Sequence, residues 1–188
     1  MKKLFIILSV LLCLVGCQKQ KYQRGSFEGV TYTNSFFGFS MVYSSGYEVY
    51  QEEQLAQMLN TTIEELENSG LVYEYMVADV DQMPIFQFYV EHYKFTTMLT
   101  YEDFVAQVVQ QFISQKGTDY TLDGVNDVEI NGVLMKKIPL LYSVGAYTVH
   151  EDIYLVNKDN YVGTLIITYL DDQKEVVEEI IQSVHMLE

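Results

Sequence analysis

Cysteine and basic residues are scarce in this chain of 188 residues, and tryptophan is absent. Two cysteines are too few for a disulfide framework. Eleven basic residues stand against 26 acidic ones, which gives a formal charge of −15 at pH 7. Because nucleic-acid binding depends on lysine and arginine neutralising phosphates, this balance argues against a nucleic-acid partner. The hydrophobic fraction of 49% argues against disorder, and the length suits a single folded domain.

The first sixteen residues have the pattern of a secretory signal peptide. Lys2 and Lys3 supply the positive charge at the start, and residues 4–15 form an apolar run. A helix that spans a bilayer needs about 20 apolar residues, so this run is too short for a permanent membrane span. We therefore predict that residues 1–16 are a signal peptide.

Residues 14–17 read Leu-Val-Gly-Cys, which resembles the lipobox of bacterial lipoproteins. The resemblance implies cleavage before Cys17 and attachment of a diacylglyceryl group to its thiol. A lipid with two or more acyl chains, palmitate among them, holds a protein stably on a membrane. We therefore predict a lipoprotein anchored through Cys17 on the extracytoplasmic face of the cell membrane.

Cleavage at this site would change the composition of the mature chain. It would remove two lysines, and the cysteine that stays would be consumed as a thioether, so no free thiol would be left for catalysis or metal binding. The acidic domain should be repelled by anionic headgroups and stand off the membrane surface. Residues 17–26 are polar and predict a lipidated tether, and residues 27–188 predict one domain without internal repeats.

The pattern within residues 27–188 predicts an α+β fold. Runs of alternating aromatic and β-branched residues predict strands, and Asn131-Gly132 predicts a hairpin turn. Three helices are predicted from amphipathic stripes and from residues that cap helix N-termini. The capping pairs are Thr100 with Asp103, and Thr61 or Thr62 with Glu64 or Glu65. Because consecutive strands joined by tight turns pair antiparallel, we expect a single antiparallel β-sheet with about three helices packed on its faces.

Two phrases of the sequence resemble the Mog1/PsbP-like domain of small bacterial surface lipoproteins. They are Thr33-Asn34 with Phe36-Phe37-Gly38-Phe39-Ser40 and Ser45-Gly46-Tyr47, and later Val128-Glu129-Ile130-Asn131-Gly132 followed by Lys136-Lys137. The resemblance covers about residues 30–187 and implies the Mog1/PsbP-like fold. The function of this family is largely unknown, with relatives in photosystem assembly and in binding a small GTPase. No catalytic residues come with the resemblance.

The sequence contains no recognisable catalytic or cofactor motif. It has no nucleophile elbow, phosphate loop or dinucleotide fingerprint. His150 and Asp152 share a face of a predicted strand, but a zinc site needs three or four convergent ligands. The loop at residues 79–82 has too few ligands for a dedicated calcium site. We therefore predict no catalytic residues, no metal and no cofactor.

Tyrosine is the enriched residue type, with 16 copies. Tyrosine combines apolar area with a polar tip, which recognition surfaces favour, but a sheet between helices also fills its faces with tyrosine. By strand alternation, Tyr73 and Tyr75 should share a face of one strand, and Tyr89 and Tyr93 a face of the next. These four residues are the predicted binding surface, and burial in the core is the alternative.

Two functions agree with these observations. The first is a membrane-anchored, non-catalytic binding or assembly module whose partner is an envelope protein or the cell wall. The alternative is an envelope-associated hydrolase with a site built from scattered carboxylates, histidine and tyrosine. A deep pocket with facing carboxylates would favour the hydrolase. A third function, the substrate-binding subunit of a transporter, ranks last, because such subunits usually have two lobes and a longer chain.

Overall fold

Two antiparallel sheets and four α-helices make up the part of the chain that the computed structural model describes. That part comprises residues 21–50, 52–58, 60–68, 70–79, 83–96, 99–116 and 120–187. The predicted signal peptide and Cys17 lie outside these ranges. So do residues 80–82 of the loop considered above as a calcium site. No helix within these ranges is long and apolar enough to span a membrane.

Within the described ranges, twelve strands are distributed over the two sheets. In chain order they are β1 (Ser26–Glu28), β2 (Thr31–Asn34), β3 (Phe39–Val42), β4 (Tyr47–Tyr50), β5 (Leu71–Asp79), β6 (Ile85–His92), β7 (Thr121–Leu122), β8 (Asn126–Ile130), β9 (Val133–Val144), β10 (Tyr147–Lys158), β11 (Tyr161–Leu170) and β12 (His185–Met186). The small sheet has the order β1-β2-β3-β12. The large sheet has the order β4-β5-β6-β11-β10-β9-β7, with β8 also paired to β9.

The helices are α1 (Glu52–Met58), α2 (Ile63–Asn68), α3 (Tyr101–Lys116) and α4 (Lys174–Gln182). Two of the predicted capping boxes are confirmed. Thr100 N donates to Asp103 Oδ2 at 2.7 Å and Asp103 N donates back to Thr100 Oγ1 at 3.2 Å. The equivalent bonds join Thr62 and Glu65 at the start of α2, at 3.0 and 3.2 Å. These exchanged bonds satisfy amide groups that the first helical turn leaves without partners.

The two faces of the large sheet support separate cores. One face packs against the small sheet and α4, and its core is rich in aromatic rings, such as Tyr32 with Tyr75 at 4.5 Å between ring centroids. The other face packs against α3, through Phe104, Val105 and Val108. Strand alternation sends successive side chains of β10 to opposite cores, so this central strand is buried on both sides.

The prediction of one sheet with three helices is therefore wrong in its finer part, although the α+β class is confirmed. β2 and β3 alternate buried and half-exposed residues because they lie across the face of the large sheet and do not extend its edge. The small sheet is completed by β12, in which His185 pairs with Ser40. Alternation within a strand indicates which residues point inward but does not indicate which strands pair.

Two residues of the predicted tether, residues 17–26, make contacts with the domain. Tyr22 OH donates a hydrogen bond to Glu74 Oε1 at 2.6 Å, Gly25 N donates to Glu74 Oε2 at 2.8 Å, and Tyr32 OH donates to the same oxygen at 2.9 Å. Asn34 Nδ2 donates to Tyr32 OH at 2.9 Å. We call these five residues the N-terminal clasp. Tyr22 and Gly25 therefore belong to the folded domain.

Candidate functional site

A cleft of about 820 Å³ lies between α4 and strands β8 to β11 of the large sheet. Its walls include the apolar side chains of Val128, Val177 and Ile181, and its polar side chains come from both the strands and α4. Ligand sites of proteins commonly have this size and this combination of apolar walls with a few polar groups. The cleft is therefore the candidate binding site.

The floor of the cleft carries an ion pair that is largely withdrawn from solvent. Lys137 Nζ lies 2.8 Å from Asp152 Oδ2, and the two side chains are 28% and 8% exposed. Tyr169 OH donates a hydrogen bond to the same carboxylate oxygen at 3.1 Å. Lys137 Nζ also lies 5.3 Å from the centroid of the Tyr154 ring, within cation–π range. These contacts hold the carboxylate and the ammonium group in fixed positions.

Burial and charge act together on the titrating groups of this floor. Burial lowers the pKa of Lys137, but the hydrogen bond to Asp152 and the interactions with the charges of Tyr154 and Asp152 together outweigh burial, so the pKa is raised. The pKa of Tyr169 is raised by burial and by the charge of Asp152. Burial likewise raises the pKa of Tyr154, while the neighbouring Lys137 lowers it. Lysine therefore stays charged and both tyrosines stay neutral at physiological pH.

His150 lines the cleft two residues before Asp152 on β10. Its ring stacks on Tyr169 with 4.8 Å between centroids and an interplanar angle of 11°. Its Nε2 lies 2.5 Å from Asp171 Oδ1 at the start of a 3-10 turn, which spans Asp171–Gln173 and leads into α4. Stacking and pairing together fix the imidazole at the mouth of the cleft.

The sequence predicted part of this arrangement. It placed His150 and Asp152 on one face of a strand, and both side chains line the cleft. It did not identify Lys137 or Tyr169, which reach Asp152 because Pro139 of β9 and Ile167 of β11 lie opposite Asp152 in the sheet. That register depends on the pairing of three strands and leaves no local signal in the sequence.

The predicted tyrosine surface does not form as expected. A β-bulge between Tyr73 and Tyr75 shifts the register of β5 against β6. Tyr75, at 1% exposure, is buried between the two sheets, so its assignment to a surface is wrong. Tyr73 is half-buried and packs on Tyr89 with 5.8 Å between centroids. A binding role for that pair stays a prediction.

Tyr93 lies apart from this pair and packs on α3. Its ring contacts Phe95 at 5.1 Å and Phe104 at 4.9 Å between centroids. Its hydroxyl donates to Gln107 Oε1 at 3.3 Å.

In the described ranges, histidine, cysteine, aspartate and glutamate form no group of three or more that could hold a metal ion.

Neither the family models nor the curated proteins contain a match to this chain. Solved structures do match. The solution structure of cyanobacterial PsbP (CyanoP) from Synechocystis sp. PCC 6803 superposes with a TM-score of 0.56 at 13% identity, covering 86% of this chain and 98% of CyanoP. LpqN, involved in cell envelope biogenesis of Mycobacterium tuberculosis, gives 0.45 at 12% identity, covering 80% and 83%. A Bacteroides thetaiotaomicron protein gives 0.47 at 12% identity, covering 86% and 50%.

We base the fold assignment on CyanoP, because its match has the higher TM-score and spans nearly all of that protein. An identity of 13% supports the fold and does not carry over a function. The resemblance predicted from the sequence is confirmed at this level. The described part of the chain has a PsbP-like fold.

Proposed function

We propose that this protein is a lipoprotein anchored through Cys17 on the extracytoplasmic face of the membrane, and that its domain is a non-catalytic binding or assembly module. The observation that carries the binding role is the cleft with Lys137, Asp152 and Tyr169 at its floor. The anchoring role is supported by the signal peptide and the lipobox of the sequence.

The ion pair in the cleft supports recognition better than it supports stability. Withdrawing two charges from water costs several kcal/mol per ion, and apolar residues of similar volume often serve a core equally well. Here the pair lies where a ligand could reach it, since Lys137 keeps 28% of its side chain exposed. A fixed pair of opposite charges presents both hydrogen-bond donors and acceptors to a partner.

The anchoring role is tested by mass spectrometry of the full chain produced in a bacterial host. We expect a mature N-terminus at Cys17 that carries diacylglyceryl, and a Cys17→Ser variant that lacks the lipid. An unmodified Cys17 in a host that lipidates other lipoproteins would contradict this part of the proposal.

The binding role is tested with a photo-crosslinking residue placed at the cleft. Gln182 is exposed and lines the cleft, whereas Gln110 is exposed on α3 at the opposite face of the sheet. With p-benzoylphenylalanine at Gln182 we expect crosslinks to an envelope component, and fewer when Lys137→Met is added. The same substitution at Gln110 is the matched control. Equal crosslinking from both positions, or no effect of Lys137→Met, would contradict a binding role for the cleft.

The alternative function is an envelope-associated hydrolase, for which the carboxylates of the cleft are the supporting observation. Asp152 and Glu178 both line the cleft, and the charges of both raise the pKa of Tyr169. Two carboxylates on opposite sides of a substrate are the usual catalytic groups of glycosidases. Turnover of purified cell-wall fragments that is lost in both Asp152→Asn and Glu178→Gln would favour the hydrolase over the binding module.

A further inference from the structure

The N-terminal clasp fixes the point at which the chain leaves the folded domain. Glu74 accepts hydrogen bonds from Tyr22, Gly25 and Tyr32, at 2.6, 2.8 and 2.9 Å. The Tyr22 ring also packs on Phe36 with 5.1 Å between centroids. Hydrogen bonds to a carboxylate are stronger than those between neutral groups. Tyr22 is therefore held at one place on the domain by both polar and apolar contacts.

That place is one end of the large sheet. Tyr22 lies 5.4 Å from Tyr161 between ring centroids, and Tyr161 is the first residue of β11, directly after the turn that follows β10. The other end of β10 begins at Tyr147, after the turn at Gly145. β10 has 12 residues, and strands rise about 3.3 Å per residue, so the two turns lie about 36 Å apart. We call the end with Tyr22 the near end and the end with Gly145 the far end.

The covalent distance from the lipid to this point is short. Cys17 precedes Tyr22 by five positions, and an extended chain spans at most about 3.6 Å per residue, so the two are at most about 18 Å apart. This limit holds for any conformation of the intervening residues. It is about half the distance between the near end and the far end.

We propose, on the basis of the lipid anchor proposed above, that the near end faces the bilayer that holds Cys17, and that the clasp keeps the far end directed away from it. The near end also exposes Lys21, whose positive charge suits anionic lipid headgroups, with Asp159 as a nearby exposed acid. Repulsion between the acidic domain and the membrane can then lift the near end only as far as the tether allows.

This orientation is measurable because the domain lacks cysteine after Cys17. A single cysteine is introduced at the near end as Asp159→Cys or at the far end as Ala146→Cys, both at exposed turn positions, and is labelled with a fluorescent donor. The lipidated protein is inserted into phosphatidylcholine and phosphatidylglycerol vesicles that carry an acceptor lipid. We expect energy transfer about twofold higher from the near end, since about 36 Å separates the ends. Equal transfer from both ends would overturn the proposal.

Two further variants test whether the tether and the clasp cause the orientation. Ten Gly and Ser residues inserted between Gln20 and Lys21 lengthen the tether without altering a contact of the clasp. Glu74→Ala removes the acceptor of the clasp, and circular dichroism shows whether that variant is folded. We expect the difference in energy transfer between the two ends to be lost in the lengthened chain, and also in Glu74→Ala if that variant folds. If Glu74→Ala does not fold, the lengthened chain decides the test. A difference that persists in the lengthened chain would overturn the proposal.

The lipid itself is checked separately, so that the two proposals can fail independently. Mass spectrometry selects the lipidated protein before the vesicles are prepared. Absence of the lipid would contradict the proposed anchor, whereas a lipidated protein with equal energy transfer from both ends would contradict only the orientation.

Discussion

The hydroxyl of Tyr22 donates a 2.6 Å hydrogen bond to Glu74, which lies 52 positions further along the chain. The accepting carboxylate is largely buried at the bulge of β5 and also receives hydrogen bonds from Gly25 and Tyr32. One acidic side chain thus connects the start of the folded domain to the small sheet and to the large sheet.

Replacing Tyr22 by phenylalanine removes one bond of the clasp and keeps the ring. A hydrogen bond to a charged group contributes about 1.5–3 kcal/mol, so the free energy of unfolding of Tyr22→Phe should fall by about that amount. Urea denaturation followed by circular dichroism measures the change. Tyr50→Phe is the control, because Tyr50 donates a bond of similar length, 2.7 Å, to Glu48 in an exposed position. If both variants lost a similar free energy of unfolding, the hydrogen bond from Tyr22 would contribute no more than an exposed one, which would contradict the prediction.

Glu74 should make stability depend on pH in a defined direction. Burial raises its pKa above the ordinary 4.5, although the bonds from Tyr22, Tyr32 and Gly25 act in the opposite direction. Between 4.5 and the raised value the folded state binds more protons than the unfolded state, so the free energy of unfolding falls as the pH rises. The stabilisation from the raised pKa is therefore complete at acid pH and lost above the folded-state pKa.

Glu74→Gln cannot titrate at this position, so it isolates the effect from the other carboxylates of an acidic chain. The free energy of unfolding of the wild type minus that of Glu74→Gln should decrease as the pH rises through this range and then become constant. Urea denaturation of both proteins at a series of pH values measures this difference. A difference that increases with pH would indicate a lowered pKa and contradict the prediction.

Local signals in the sequence predicted local structure correctly. Thr100 and Asp103 are three residues apart, and their exchanged bonds depend only on the first turn of α3. Asn131-Gly132 forms the predicted turn because both residues adopt positive φ angles of 46° and 87°, which these residue types tolerate. Such features need no knowledge of the rest of the chain, so one sequence suffices to predict them.

Features that depend on distant residues were missed for the same physical reason. Glu74 is one of 26 acidic residues, and the partners that distinguish it lie 42 to 52 positions away. His185 follows α4 closely and pairs with Ser40, 145 positions earlier, in the small sheet. In the cleft, alternation predicted Asp152 beside His150, whereas Lys137 arrives only through strand register. Pairing is decided by the whole fold, and pattern within one segment does not encode it.

Gly163 should be intolerant of a larger side chain. A Cβ at this position would lie 2.8 Å from Phe88 Cζ, 2.9 Å from Val156 Cγ1 and 3.0 Å from Phe37 Cε2. Adding a methyl group to a packed core forces side chains from their preferred rotamers, so Gly163→Ala should lower the free energy of unfolding by about 1–3 kcal/mol. Thermal unfolding followed by circular dichroism measures the loss.

Gly46→Ala is the matched control for this substitution. A Cβ at Gly46 meets nothing within 4 Å, and its φ is not positive, so alanine should leave stability unchanged or raise it by about 0.4–1 kcal/mol through the unfolded state. If Gly163→Ala were as stable as Gly46→Ala, the prediction that the core around Gly163 has no room for a methyl group would be contradicted.

Lys137 and its neighbour Lys136 allow the ion pair of the cleft to be tested within one strand. Lys137 pairs with Asp152, whose side chain is 8% exposed, whereas Lys136 pairs with Asp127 and Glu102, whose side chains are 83% and 68% exposed. Lys137→Met leaves a buried carboxylate without its cation. Because Lys137 is partly exposed, we expect a loss below the 3–5 kcal/mol of fully buried pairs, about 2 kcal/mol. Lys136→Met should cost at most about 1 kcal/mol.

A second substitution separates the ion pair from the packing of the lysine stem. The double variant Lys137→Met with Asp152→Asn has a neutral side chain at position 152, so no unpaired charge remains in the cleft. It keeps the shorter, apolar methionine at position 137. If the charge causes the loss, the double variant should recover much of the stability that Lys137→Met loses, and the two single effects will not add. Urea denaturation of the four proteins in this cycle gives the coupling energy. Additive effects would show that Lys137 and Asp152 do not interact across the floor of the cleft.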